Sequence, residues 1–303
     1  YNKILFMKII FTGAKGKVGS ELSTLFLKKT NHDLIITTRK KTINKNKHLF
    51  FYHQDLLKPF TQKIDADLII HLATKDEHTK VIKNEKKEVF DANIKITKNI
   101  QKFANDNKIK KIFFFSTTMV KNHSKKEIIT EKDINRIDLY GKSKLLSEKI
   151  LCNKKNYFKT TCLRLPGVLN QKGLKTSVLQ SGKMEILMRF ISLMKLNKNI
   201  KIFNPYKKFN NVVDVQEIFE FINKNIKKKN KSVVVQMSAS KPIEFIKVIN
   251  TLKTELKSSS KISVLNKEIS SFIISNQKIK KIFGFIPSST EKMLKRFCKK
   301  VCD

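Results

Sequence analysis

A seven-residue stretch near the start of the chain restricts its fold more than any other feature. Gly13-Ala14-Lys15-Gly16-Lys17-Val18-Gly19 follows the apolar run Met7–Thr12 and opens the amphipathic run Lys17–Lys29. It holds three of only eight glycines. A short apolar run ending in Thr-Gly suits a buried strand rather than a signal peptide, and the periodic run after it suits a helix. Glycine at the joint permits a tight turn, close approach of backbone to a pyrophosphate, and close packing of helix on strand. The helix N-terminus then presents free N–H groups and a positive dipole end to phosphate. Strand, glycine turn and helix in this order predict a dinucleotide-binding unit, with Gly13, Lys15, Gly16, Lys17, Val18 and Gly19 as candidate cofactor-binding residues.

The same alternation continues. Strands are predicted at Asp33–Thr38, Leu49–Tyr52, Asp67–Leu72, Lys110–Thr117 and Thr160–Leu165, and helices at Lys86–Asn105 and Tyr140–Asn153. The strands are almost wholly apolar, as in a parallel sheet covered by helices on both faces. Repeated strand–helix–strand units predict an α/β chain with a Rossmann-type doubly wound parallel sheet over residues 7–166. Residues 1–6 precede Met7. After Leu165 the rhythm changes. Residues 167–183 read as loop, Met184–Leu196 as helix, Asn199–Phe203 as strand, Asp214–Asn225 as helix, Ser232–Gln236 as strand and Ile243–Leu256 as helix. Residues 167–303 are therefore expected to form a smaller C-terminal α/β substrate-binding lobe, interleaved with the last sheet elements.

Composition narrows the class of partner. Lys and Arg number 64 against 25 Asp and Glu, a formal net charge of +39 over 303 residues. Such a balance raises nucleic acid or anionic lipid as partners. Only five of the 64 are arginine (39, 136, 164, 189 and 296), the residue that bidentate readers of nucleic acid favour. The lysines are spread along the chain, as solvated faces are. Specific nucleic-acid binding is not expected, whereas attraction of an anionic substrate is. No apolar run reaches the eighteen or more residues of a membrane helix. The cysteines 152, 162, 298 and 302 form no CxxC pair and no zinc spacing with histidine, so reduced thiols, no metal and a cytoplasmic setting are expected. His71 is read as structural at a strand end. The other histidines (32, 48, 53, 78 and 123) are placed in loops or surface segments, and Phe113-Phe114-Phe115 is placed inside a strand.

The chemistry gathers on one helix. Tyr140 and Lys144 are four residues apart and share a helix face. A phenol titrates near 10 unperturbed, and an adjacent ammonium favours its ionised form. Tyr140 can then exchange a proton with a hydroxyl as general acid and base. Thr117 ends a strand, where open α/β sheets place ligands, and its hydroxyl can hold a substrate oxygen beside Tyr140. Thr117, Tyr140 and Lys144 are the candidate catalytic residues. An acidic residue after the second strand would bind the ribose 2′-hydroxyl of NAD. Here that strand ends Ile36-Thr37-Thr38-Arg39-Lys40, and Arg39 can accept a 2′-phosphate instead. The cofactor is read as NAD or NADP, leaning to NADP.

Glycines at 13, 16 and 19, with the Tyr140-Gly-Lys-Ser-Lys144 motif, resemble the extended short-chain dehydrogenase/reductase branch, the NAD-dependent epimerase/dehydratase family. Further stretches resemble it in order: Asp55-Leu56, His71-Leu72-Ala73-Thr74, Asn93, Ser116-Thr117-Thr118-Met119-Val120, Leu163-Arg164-Leu165-Pro166-Gly167-Val168, Asn210-Asn211-Val212-Val213-Asp214-Val215, and Ser275-Asn276 with Gly284-Phe285-Ile286-Pro287. The resemblance implies cofactor contacts at Asp55, Leu56, Leu72, Ala73, Thr74, Asn93 and Pro166, with Tyr140 and Lys144 also facing the cofactor and Lys144 bonding its ribose. It implies a nucleotide-sugar substrate, with Arg189, Lys207 and Lys208 as candidates for the diphosphate. A homodimer through the helices of Asn93 and Tyr140 is implied as well. Two departures are visible. Lys121-Asn122 replaces the family's Tyr-Gly, and Thr118-Met119 stands where sugar dehydratases carry an acidic pair. Without that pair, elimination of water lacks its acid and base. Epimerisation through a transient keto-sugar is the expected reaction, with NADPH-dependent reduction of a keto-sugar or similar carbonyl as the alternative, and cofactor binding without turnover behind both.

Overall fold

The computed structural model describes residues 6–40, 46–75, 83–120, 126–134, 138–175, 186–265 and 271–302. Its contacts divide the chain into two units. The first comprises the described residues within 1–120, 137–164 and 222–234; the second comprises those within 121–136, 165–221 and 235–303.

The first unit is built on β1 (Lys8–Thr12), α1 (Lys17–Lys29), β2 (Asp33–Thr38), β3 (Leu49–His53), β4 (Leu68–His71), α2 (Lys83–Asp106), β5 (Lys111–Thr117), α3 (Leu139–Leu151), β6 (Lys159–Leu165, up to Arg164) and the first half of β7 (Val233–Gln236). These strands form one seven-stranded sheet in the order β7-β6-β5-β4-β1-β2-β3. The pairings β1–β2, β2–β3, β1–β4 and β4–β5 are parallel, with Ile10 opposite both Ile35 and Ile69. Strand order reverses between β1 and β4, so the loops after these two strands flank the switch point where such sheets hold ligands. Ile10, Ile69, Ile112 and Phe114 from the sheet pack with Ile96, Ile100 and Phe103 of α2 and Leu151 of α3. Each such side chain contributes about 1.5–3 kcal/mol on burial. The Phe113-Phe114-Phe115 run is buried within β5 as expected.

In the second unit, Gly167–Leu169 pairs in parallel with Val212–Asp214, and Ile200–Ile202 with Ile262–Val264. Asn210 ties these elements together: its amide donates to Ser238 Oγ (3.1 Å), Ala239 O (2.9 Å) and Ile274 O (2.9 Å), and its Oδ1 accepts from Ile274 N (2.9 Å). Arg296, on the helix Thr290–Cys302, spans Asp214 (2.6 Å) and Glu217 (2.7 Å). Burial raises the Asp214 carboxyl, and Arg296 opposes that rise.

Several expectations are corrected. The 167–183 loop contains a strand (Gly167–Leu169) and a helical turn (Gln171–Lys175). Asp214 ends a strand and caps the helix Val215–Asn225 by accepting from Glu217 N, so it does not begin that helix from within. Ile243 and Glu244 pair with Phe209 and Lys208 before their helix starts at Phe245. His32 lies in the connection between α1 and β2 but is buried, and His53 ends β3 and is exposed. The strands Gly167–Leu169, Val212–Asp214 and Ile243–Glu244, of two or three residues, are too short to show a period. His78, His123, Arg136, Met184 and the Lys121-Asn122 departure lie outside the described residues.

Candidate active site

The glycine turn brings backbone against backbone. Gly13 has φ +77°, and a Cβ there would stand 2.6 Å from Ala73 N. A Cβ on Gly19 would run into the Gly13 carbonyl oxygen and lie 2.9 Å from Ala14 Cα. Gly16 N donates to Gly13 O at 2.9 Å, and Gly16 then caps α1 through its backbone alone, with no side-chain hydrogen bond and no acidic residue in the first turn. The first N–H groups of a helix have no partners within it. Here they sit beside exposed Lys15 and Lys17, with no carboxylate to repel an anion. This cradle fits a pyrophosphate.

Next to it, the ends of β1 and β4 are locked together. Ala73 N donates to Thr12 Oγ1 at 3.3 Å, and Thr12 Oγ1 lies 2.6 Å from His71 Nδ1. His71 is fully buried; burial first, then the Lys144 charge, lower its pKa to about 3, so the ring is neutral. Thr12 Oγ1, which accepts from Ala73 N, also shares a hydrogen bond with the neutral His71 ring at Nδ1, in the direction the ring's tautomer sets. Asn93 of α2 holds the following loop: its Oδ1 accepts from Lys75 N (2.7 Å) and Thr74 Oγ1 (3.1 Å), and its Nδ2 donates to Lys75 O (3.1 Å) and Ser143 Oγ (3.4 Å). Its amide is thus committed to shaping the loop Leu72-Ala73-Thr74.

The helix α3 begins where Asp138 Oδ1 accepts from Gly141 N at 2.7 Å, a side-chain N-cap. Tyr140, Lys144 and Glu148 then repeat every four residues along one face. Tyr140 is half-buried. Lys144 is only 4% exposed; its ammonium donates to Phe115 O at 3.0 Å and lies 5.0 Å from the Phe114 ring and 5.8 Å from the Tyr140 ring. A surface lysine would not show this burial. Phe114 and Phe115 belong to β5, whose last residue, Thr117, is buried too. The three candidate catalytic residues therefore belong to two packed elements of one unit.

Among the remaining candidates, Arg39 is exposed just after β2, and its carbonyl accepts from His53 Nε2 at 2.8 Å. Asp55 Oδ1 accepts from Leu57 N at 3.0 Å, and Leu56 O accepts from Asn99 Nδ2 at 2.9 Å, so both residues sit in a braced turn after β3. Val18 is half-buried in α1. Pro166 belongs to the second unit, as do Arg189, Lys207 and Lys208, all three exposed. Among the described residues no group of three or more His, Cys, Asp or Glu is placed to hold a metal ion. Sequence reading missed Glu148 and did not place Arg164 in the site. Glu148 was detectable as the next step of the four-residue spacing, and Arg164 as one of only five arginines.

The model of the NAD dependent epimerase/dehydratase family matches residues 9–236. The chain belongs to this family. A UDP-glucose 4-epimerase of Mycoplasma genitalium is 31% identical over 178 residues, 52% of this chain and 51% of that protein. The chain thus spans about half the length of that curated relative. Among solved structures, the ADP-L-glycero-D-manno-heptose-6-epimerase of Helicobacter pylori superposes with a TM-score of 0.79 at 17% identity, covering 99% of this chain and 98% of that one. A UDP-glucuronic acid 4-epimerase of Bacillus cereus, solved in complex with NAD, gives 0.76 at 18% identity over 97% of each chain. These likenesses carry the fold. Among the described residues no helix is long and apolar enough to cross a membrane.

Proposed function

We propose that the protein is an NAD(P)-dependent epimerase acting on a nucleotide-sugar through a transient keto-sugar. The observation that carries this reading is the buried Lys144 between Tyr140 and the end of β5, in the same unit as the glycine cradle. The cradle at Gly13, Gly16 and Gly19 would hold the dinucleotide pyrophosphate on the first turn of α1, with Lys15 and Lys17 beside it. Asp55 and Leu56 would border the adenine, and the braced loop Leu72-Ala73-Thr74 would line the cofactor's path. When bound, the dinucleotide supplies the hydride acceptor and donor that interconversion of alcohol and ketone requires. Tyr140 takes the sugar hydroxyl proton as the carbonyl forms, and returns it when the hydroxyl forms again in the other configuration. Thr117 holds the reacting oxygen, and the Lys144 ammonium favours the ionised phenol. The relatives named above act at the C4 or C6 position of nucleotide-linked sugars, and UDP-glucose is the first substrate to test.

A second reading rests on Arg39. With no acidic residue after β2 and a guanidinium in its place, the site suits a 2′-phosphate, and NADPH-dependent reduction of a keto-sugar follows. The homodimer through α2 and α3 remains part of the proposal. The exposed side chains of that pair include Lys95, Lys98, Lys142 and Lys149 beside Leu146, so salt is expected to favour it.

One experiment separates these. The purified protein is denatured and the dinucleotide it releases is identified; the native protein is then given UDP-glucose and the C4 epimer is sought by NMR. Released NAD with epimer formed supports the epimerase. An empty protein that binds NADPH over NADH and forms no epimer supports the reductase. Tyr140→Phe is expected to lower turnover roughly 10²–10⁴-fold with dinucleotide binding retained; unchanged turnover refutes the role of Tyr140.

A further inference from the structure

One turn beyond Lys144 on α3, Glu148 is 3% exposed and carries three hydrogen bonds. Arg164 of β6 reaches it as a fork, Nε to Oε1 at 2.8 Å and Nη2 to Oε2 at 2.7 Å, and Arg164 is itself 2% exposed. Ser116 of β5 donates its hydroxyl to Oε1 at 2.5 Å. Ser116 directly precedes Thr117, and the carbonyl that holds Lys144 belongs to Phe115. The carboxylate therefore joins three elements at the point where two of them present the candidate catalytic side chains.

Stability alone does not account for such a clamp. A buried ion pair is expensive to desolvate, and replacing it by apolar side chains of similar size is often neutral or stabilising. What the pair does supply is direction. A bidentate fork fixes both partners in plane and in distance. Here the fork ties α3 to β6 and the Ser116 hydroxyl ties the same carboxylate to β5, so together they restrict rotation of α3 about its own axis, which an apolar contact would leave free to slide.

We propose that Glu148, held by Arg164 and Ser116, is the positioning residue of the catalytic set: it sets the orientation of the α3 face so that Lys144 and Tyr140 meet the end of β5 at Thr117. The proposal rests on the functional reading above and deepens it. Glu148 touches none of the reacting atoms; it acts through Lys144 and Thr117.

The test uses three variants of the full chain: Glu148→Asp, Glu148→Gln, and the double variant Glu148→Gln with Arg164→Met. The double variant leaves no unpaired charge, so its thermal midpoint is expected to return close to wild type even if Glu148→Gln folds poorly. Three quantities are read. Turnover of UDP-glucose is expected to stay roughly 10–100-fold down in the double variant, with KM and NAD affinity within about threefold of wild type. Glu148→Asp, which keeps the charge on a shorter arm, is expected to recover part of that loss. Amide hydrogen exchange in peptides covering 111–120 and 139–151 is expected to quicken in the double variant while the rest of the chain is unchanged. Wild-type turnover and wild-type exchange in a stable double variant would overturn the proposal and leave the clamp as packing. If the wild-type protein turns over no nucleotide-sugar, the functional reading fails, and the exchange measurement alone decides whether the clamp orders the site.

Discussion

His71 should make the fold acid-sensitive in a way that one substitution removes. Its ring is sealed between β1 and β5, 2.6 Å from Thr12 Oγ1 and tilted against Phe114 at 5.3 Å, with the Lys144 charge nearby. Protonation there would bury a second cation beside Lys144. The pKa is accordingly lowered from 6.5 to about 3. A base whose folded pKa is depressed binds fewer protons in the folded state than in the unfolded one between those two values, so stability is complete above about pH 6.5 and falls as the solution is acidified towards pH 3. At about 1.36 kcal/mol per unit, the full interval is worth roughly 5 kcal/mol, and lowering the pH from 6.5 to 4.5 costs about 2.5 kcal/mol. Urea unfolding at half-unit steps from pH 4.5 to 8 reads this directly. His71→Asn, which keeps a polar amide for Thr12 but has no proton to gain, is expected to be less stable at pH 7.5 and flatter below it. The difference between the two curves isolates His71 from carboxylates titrating in the same range. Parallel curves for wild type and variant would show that the ring takes up its proton freely, and the buried, neutral imidazole described here would be wrong.

Gly13→Ala is expected to abolish dinucleotide binding and to lower the thermal midpoint. The left-handed backbone at φ +77° costs about 1–2 kcal/mol for a residue with a Cβ, and that atom would meet Ala73 N at 2.6 Å, where only a backbone shift relieves it. Wild-type affinity in a titration with NAD would refute this. Ellman's reagent is expected to label Cys302 rapidly in the native protein and Cys298 only on unfolding, because Cys302 is exposed while burial pushes the Cys298 thiol up to about 12. Comparison with Cys302→Ser identifies the fast thiol, and fast labelling that survives that substitution contradicts the assignment.

The sheet was legible because its strands are long enough to show a pattern and are bounded by turn residues. β1, α1 and β2 fall where Thr12-Gly13, Lys17–Lys29 and Asp33–Thr38 place them. The second unit was harder for the opposite reason: Gly167–Leu169, Lys208–Phe209 and Ile243–Glu244 are strands of two or three residues that exist only through their partners. Within the candidate site, spacing along one helix was readable, so Tyr140 and Lys144 fall on one face of α3 as expected. Contacts that join distant segments were not. Nothing local to Ser116 or Arg164 announces that both end on Glu148, 32 and 16 residues away.

The large positive charge bears on the site in a particular way. Sixty-four basic side chains against 25 acidic ones would make most interiors unstable if many were buried. Among the described residues Lys144 is the one buried lysine and Arg164 the one buried arginine, and both stand at the end of β5. Arg164 is neutralised by Glu148 through two hydrogen bonds. The contacts of Lys144 include the Phe115 carbonyl and the Phe114 ring, groups that can solvate an ammonium. Along the helix, the Lys144 ammonium lies 5.8 Å from the Tyr140 ring. Moving Lys144 to arginine would keep the charge but exchange a point donor for a planar fork that cannot enter the same space. Lys144→Arg is thus expected to lower turnover about as much as Lys144→Ala, and a variant as active as wild type would show that the position requires charge alone.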